Sequence, residues 1–155
     1  MLSQISIPIG VVPINLTHVS IFLAAGLLGA NLGVCSQIIF VLMGAVGIPV
    51  FSGFSSGLGI IFGPAGGFIF GYIGCVYVTG LIIDRFGRSI TILALAMYAG
   101  WFVTYLLGIL WFVYYTKTSF FAALPVCLFP FIPGDFLKTV LSVTLINRLR
   151  PVLRN

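Results

Sequence analysis

From Leu16 to Gly47 the chain is an almost unbroken apolar run, longer than the roughly 20 residues that one bilayer crossing needs. Gly29-Ala30-Asn31 interrupts it with turn chemistry. The pattern therefore predicts two short helices, over about 16–30 and 31–47. The next stretch, Gly47 to Gly59, is dense in Gly, Ser and Pro. Irregular backbone cannot face lipid, because its N–H and C=O groups would go unsatisfied. Residues 48–64 are accordingly expected to form a loop, folded back on the protein or lying at the water interface. Gly63-Pro64 opens a third helix, about 65–84, with proline suited to a first helical turn. Asp84-Arg85-Phe86-Gly87-Arg88 ends it. A fourth helix covers about 89–114, with Trp101, Tyr105, Trp111, Tyr114 and Tyr115 in its second half, as an interfacial aromatic belt would be. Residues 116–132 hold a connection with a short apolar piece, and Pro133 opens a last helix, about 134–149. The fold class expected is an all-α, polytopic transmembrane bundle with five helices, in a single membrane domain over 1–155.

Composition supports the same solvent. Of the 155 residues, 61% are hydrophobic and 6% charged, against roughly 25% charged in soluble domains. The mean hydropathy is +1.27. The formal net charge of +5 is not a nucleic-acid signature, since the basic residues are scattered over connections and the tail without aromatic interleaving. Cys35, Cys75 and Cys127 sit in separate apolar runs and read as small core residues. His18 is the lone histidine, so the sequence offers no Cys/His metal set and no nucleophile–base–acid set. No GxxxxGK[ST] motif is present. Neither an enzyme nor a resident cofactor or metal is expected, and energy for any uptake would come from a partner. The first 15 residues lack a basic leader region, and Pro8 and Pro13 break any signal-like core.

The positive-inside rule orients the bundle. Arg85 and Arg88 form one basic cluster; Arg148, Arg150 and Arg154 form another, two helices later. Both then face the cytoplasm, with the C-terminus. Lys117 and the 48–64 loop face outward, as do residues 1–15, and the 29–31 turn faces inward. An outside N-terminus on five helices suggests a further helix upstream of Met1.

Two groups of residues could carry chemistry. Asp84 reads as a structural partner of Arg85 or Arg88. Asp135 and Lys138, in Phe131-Ile132-Pro133-Gly134-Asp135-Phe136-Leu137-Lys138, share a helix face. They form either a local ion pair or a binding pair, because ionisable groups within membrane helices are costly and usually mark a functional interior. In the loop, Gly53, Gly57 and Gly59 allow close backbone approach, and Ser55 and Ser56 supply hydroxyls, so this cluster reads as ligand contact or lid. Gly63, Gly67 and Gly71 recur every four residues, which favours close helix packing for Gly67 and Gly71. Gln37 is expected to make an interhelical hydrogen bond. His18 and Phe51 are secondary candidates for ligand contact.

Gly47-Ile48-Pro49-Val50-Phe51, the Gly53–Gly59 run, Gly63-Pro64-Ala65-Gly66-Gly67-Phe68 and the Pro133-Gly134-Asp135-xx-Lys138 segment together resemble the BioY family. So do Ile5-Ser6-Ile7-Pro8 and Val12-Pro13-Ile14. The resemblance spans nearly the whole chain. It implies an S component of an energy-coupling factor (ECF) transporter that captures biotin in the cytoplasmic membrane. It also implies a six-helix fold whose first helix is missing here, and an assembly with a transmembrane coupling subunit and two ATPase subunits. Self-association is left open. Departures from the family pattern fall at Ala65, Phe68 and Thr17-His18. The resemblance implies that Asp135 accepts a ureido N–H, and that Lys138 donates to the ureido oxygen or the carboxylate of biotin. The rival readings are an S component for another vitamin and a membrane assembly subunit without a ligand.

Overall fold

The computed structural model describes residues 6–7, 14–15, 17–51, 54–129 and 131–153. A small antiparallel pair, β1 (Ser6–Ile7) and β2 (Ile14–Asn15), sets Ser6 opposite Asn15. Six helical elements follow: α1 (Thr17–Val46), α2 (Leu58–Ile61), α3 (Gly66–Phe86), α4 (Ile90–Thr116), α5 (Phe120–Cys127) and α6 (Ile132–Leu153). Helices α1, α3 and α4 are each long and apolar enough to cross a membrane. Helix α5 and the 132–149 part of α6 meet that test together, as a pair bent by 54°. The chain is thus an all-α membrane bundle, and the short helices α2 and α5 fall in segments read from sequence as loop and connection.

Helices α3 and α4 form the central antiparallel hairpin. Their close approach depends on missing side chains. A Cβ at Gly67 would strike the Trp111 side chain, and one at Gly100 would strike Thr79 and Cys75. The hydroxyl of Thr79 crosses the interface to donate to the Ala96 carbonyl at 3.1 Å. Glycine here acts as the packing residue expected of small-xxx-small faces. Gly87 closes α3, and Ser89 caps α4 by accepting from the Ile92 N–H at 3.3 Å.

Helix α1 is not straight. Gly29 holds φ 83°, ψ −176°, a conformation essentially confined to glycine. The chain folds back there: a Cβ at Gly33 would lie 3.5 Å from the Ala24 carbonyl oxygen, nine residues earlier. The segment before the break packs on α6, with Gly26 against Ile146, and the segment after it packs on α3, with Gly33 against Val76. The two short helices and the turn at 29–31 follow the sequence reading.

The turn is held by a residue assigned otherwise from sequence. Asp84 accepts a hydrogen bond from the Ala30 N–H at 3.0 Å, across 54 residues. Its carboxylate therefore caps the free N–H groups that restart α1. Among the described residues the one salt bridge is Asp135–Lys138, so the expected pairing of Asp84 with Arg85 or Arg88 is corrected to a backbone cap. Two other expectations change. The buried Oε1 of Gln37 has no hydrogen-bond partner among the described residues. Cys35 is exposed rather than in the core, whereas Cys75 and Cys127 are buried.

The main core joins Phe22, Val76, Leu93, Met97, Trp101 and Ile146 from α1, α3, α4 and α6. Large apolar side chains such as Leu32, Val46, Phe102 and Phe121 point outward, as a lipid-facing surface requires. Ile90 and Arg148 line one groove, so the start of α4 and the end of α6 share one end of the bundle. The basic clusters at 85–88 and at Arg148 therefore lie together. At the opposite end, Phe51 packs on Ile61 and Ile69, and Trp111 Nε1 donates to the Gly63 carbonyl at 2.9 Å.

The turn gives a direct test. Asp84→Ala removes a cap worth roughly 0.5–2 kcal/mol, and Gly29→Ala forces a strained backbone costing on the order of 1–3 kcal/mol. Both should lower the thermal unfolding temperature of the detergent-solubilised protein, while Asp84→Asn, which keeps an acceptor, should fall between Asp84→Ala and wild type. Equal unfolding temperatures for Asp84→Ala and wild type would refute the cap.

Candidate functional site

Helix α6 opens with Asp135 and Lys138 one turn apart, facing the bundle interior. Both are buried, at 7% and 6% exposure. Lys138 Nζ lies 3.4 Å from Asp135 Oδ1. The other carboxylate oxygen, Oδ2, accepts a short hydrogen bond from the Tyr105 hydroxyl of α4. Asp135 thus has one partner on its own helix and one on the facing helix. A buried carboxylate needs this degree of satisfaction, since taking it out of water costs several kcal/mol.

The helix backbone is tied into the same network. Thr139 Oγ1 donates to the Asp135 carbonyl at 2.9 Å and accepts from Trp101 Nε1 at 3.2 Å. Ser142 Oγ donates to the Lys138 carbonyl at 2.7 Å. The Trp101–Thr139 bond crosses between helices and, with the Tyr105–Asp135 bond, fixes the rotation of α6 against α4 and so where the ion pair points.

Aromatic rings form the wall. His18 stacks on Trp101 with centroids 3.9 Å apart and planes at 26°. Tyr105 stacks on the same indole at 5.7 Å, and Tyr72 meets His18 edge-on at 5.1 Å. Lys138 Nζ lies 5.4 Å from the Trp101 ring centroid, within cation–π range. His18 is buried, and its Nε2 has no hydrogen-bond partner among the described residues. An unsatisfied buried polar atom is costly in a protein interior, which makes this nitrogen a place where a bound molecule would gain a bond.

The loop candidates occupy a neighbouring cluster. Phe51 is buried against Ile61 and Ile69, its ring set on Gly44, and its N–H donates to the Ser55 carbonyl at 3.1 Å. Ser55 and Ser56 are half-buried. Gly57, at φ 100°, donates its N–H to the Gly44 carbonyl at 2.7 Å, pinning the loop to the end of α1. Gly59 is exposed on α2. Gly53 lies outside the described residues. Tyr72 packs against both this cluster and the main core that contains Trp101, and so joins loop and ion pair.

Sequence reasoning located Asp135, Lys138 and His18 but missed the residues that hold them. Trp101 and Tyr105 were read as an interfacial belt. Instead Trp101 is buried at 5% exposure and Tyr105 binds the carboxylate, whereas Tyr114 and Tyr115 are exposed. The available signal was spacing: Trp101 and Tyr105 are four apart and share one helix face. Tyr72 and Thr139 carried no signal of their own. Among the described residues no group of three or more His, Cys, Asp or Glu could hold a metal ion.

The chain is 37% identical over 151 residues to the probable biotin transporter BioY of Pyrococcus horikoshii, covering 96% of this chain and 86% of that protein. It is 35% identical to the biotin transporter BioY of Thermotoga maritima, covering 94% and 85%. It superposes on the crystal structure of the S-component for biotin from an ECF-type ABC transporter with a TM-score of 0.87 and 27% identity, over 97% of this chain and 82% of that one. The BioY family model matches residues 1–155, end to end, and the chain belongs to the BioY family.

Proposed function

We propose that this protein captures biotin from outside the cell as the substrate-binding subunit of an ECF-type transporter. The observation that carries the reading is the buried Asp135–Lys138 pair, walled by Trp101, Tyr105 and His18. An ion pair in a membrane bundle is poor stabilisation, since apolar residues of similar volume would do as well or better. Such a pair is retained where it binds something. Biotin presents the complementary groups: two ureido N–H donors, a ureido oxygen, a carboxylate and an apolar bicyclic ring. Asp135 accepts from a ureido N–H. Lys138 donates to the ureido oxygen or the carboxylate. The indole of Trp101 flanks the apolar ring, and His18 Nε2 offers one further polar contact.

The loop residues 54–59, Ser55 and Ser56 among them, would cover the site. Tyr72 passes loop closure to the aromatic wall, because it touches both. The role is capture and transport rather than catalysis. ATP hydrolysis would fall to partner ATPase subunits, joined through a membrane coupling subunit. The basic end of the bundle faces the cytoplasm with the C-terminus, so a C-terminal green fluorescent protein fusion should fluoresce in cells; a dark, membrane-inserted fusion would reverse the orientation.

Binding of labelled biotin to the detergent-purified protein tests the reading. Unlabelled biotin should displace the label, and riboflavin or thiamine should not. Displacement by either of those, or no biotin binding at all, would shift the protein to another ligand. Asp135→Asn and Lys138→Ala should each weaken binding roughly 10- to 100-fold, the loss of one charge-assisted hydrogen bond. Each variant must first elute as a monodisperse, helical protein, since leaving one partner of a buried pair alone is itself destabilising. Unchanged affinity in both would make the pair purely structural.

His18→Ala, which removes a ring from the wall while leaving both charges, should cost less, on the order of a few-fold in affinity. A loss larger than that of Asp135→Asn would make the imidazole, rather than the ion pair, the principal contact.

A further inference from the structure

A groove of about 540 Å³ runs between α4 and α6 on the outer surface of the bundle. Ala94, Val140 and Val143 line its length; Phe136 lies at one end, and Asn147 and Arg148 lie at the other. We infer that this groove holds one acyl chain of an anionic phospholipid, with the lipid phosphate on Arg148.

Three observations lead there. The first is charge. The chain has two side-chain carboxylates, Asp84 and Asp135. Asp84 is committed to the Ala30 N–H and Asp135 to Lys138 and Tyr105. Neither reaches Arg148, which is exposed and has no ion-pair partner among the described residues. No carboxylate among the described residues supplies its counter-charge, which leaves an outside anion to do so.

The second is length. Phe136 and Arg148 are twelve residues apart on one helix, roughly 18 Å at 1.5 Å per residue. One leaflet of hydrocarbon is about half of a 30 Å core. The groove therefore spans a single leaflet's depth and carries its cation at the headgroup end.

The third is chemistry along the way. The wall is mostly apolar, with Tyr98, Thr139 and Thr144 its polar side chains between the ends, so it suits a hydrocarbon chain, and Asn147 beside Arg148 adds amide donors for headgroup oxygens.

Native mass spectrometry of the intact protein in non-ionic detergent tests this, with dioleoyl phosphatidylglycerol and dioleoyl phosphatidylcholine as probes. One phosphatidylglycerol should be retained about five-fold better than phosphatidylcholine, the factor expected for a single cation near an anionic headgroup. Arg148→Ala should abolish the preference and Arg148→Lys should keep most of it. Val143→Phe, which fills the groove, should reduce retention of both lipids. Equal retention of the two lipids, or a preference untouched by Arg148→Ala, would overturn the proposal. A protein dimer in place of bound lipid would also overturn it, making the groove an interface between copies.

Position is read independently by fluorescence. Trp111→Phe leaves Trp101 as the sole tryptophan, and Trp101 hydrogen-bonds Thr139 in the deep half of the groove. Phosphatidylglycerol brominated near the chain end should quench it more than the same lipid brominated near the glycerol. The reverse order would place the lipid elsewhere. Neither readout involves biotin, so the result stands apart from the proposed function.

Discussion

A carboxylate and an ammonium inside a bilayer-spanning bundle can persist only if they satisfy each other and are held in place by neighbours. Each ion costs on the order of several kcal/mol to take out of water, and their mutual attraction returns that only with good geometry and further hydrogen bonds. The geometry here comes from two helices. Tyr105 on α4 holds one oxygen of Asp135 while Lys138 holds the other, and Thr139 links the α6 backbone to Trp101. Rotation of α6 by one residue would break the Tyr105–Asp135 and Trp101–Thr139 bonds together. The pair thus constrains how α6 sits on α4, and through Ile146 against Gly26 it constrains where α1 lies.

That constraint is met by a scaffold stiff enough to keep it. The α3–α4 hairpin packs through glycines: Gly71 lies on the Thr104 backbone, and Trp111, Phe68 and Thr79 seat their side chains on Gly67, Gly108 and Gly100. The helices on either side are pinned at opposite ends of the bundle. At one end Asp84 caps the restart of α1 at the Gly29 break. At the other, Gly57 ties the loop back to Gly44, and Trp111 ties α4 to Gly63. Polar contacts thus hold the joints, and Thr79 adds one within the hairpin itself.

Most of this architecture was legible in the sequence. Apolar runs interrupted by Gly, Pro and charge are a strong signal in a membrane protein, because lipid forbids irregular backbone except where protein or water covers it. Gly29-Ala30-Asn31, Gly63-Pro64 and Pro133-Gly134 each fall at or within a residue or so of a structural boundary. The ion pair was legible because two ionisable residues stood three apart in an otherwise apolar helix. Long-range partners were not. Asp84 has two arginines beside it in sequence and binds a backbone N–H 54 residues away, since a helix restart with free N–H groups attracts a carboxylate more specifically than a hydrated guanidinium does. Trp101 and Tyr105 were grouped with Tyr114 and Tyr115 by composition, but α4 turns the first pair inward and leaves the second pair exposed. Composition gives the depth of an aromatic residue in the membrane; only the facing helix decides its side.

The scarcity of acids links the interior to the surface. With two carboxylates in 155 residues, and both engaged in the fold, the seven Lys and Arg residues cannot be balanced within the protein. One of the seven, Lys138, is neutralised inside; the others must find their counter-charges in phosphate headgroups or partner proteins.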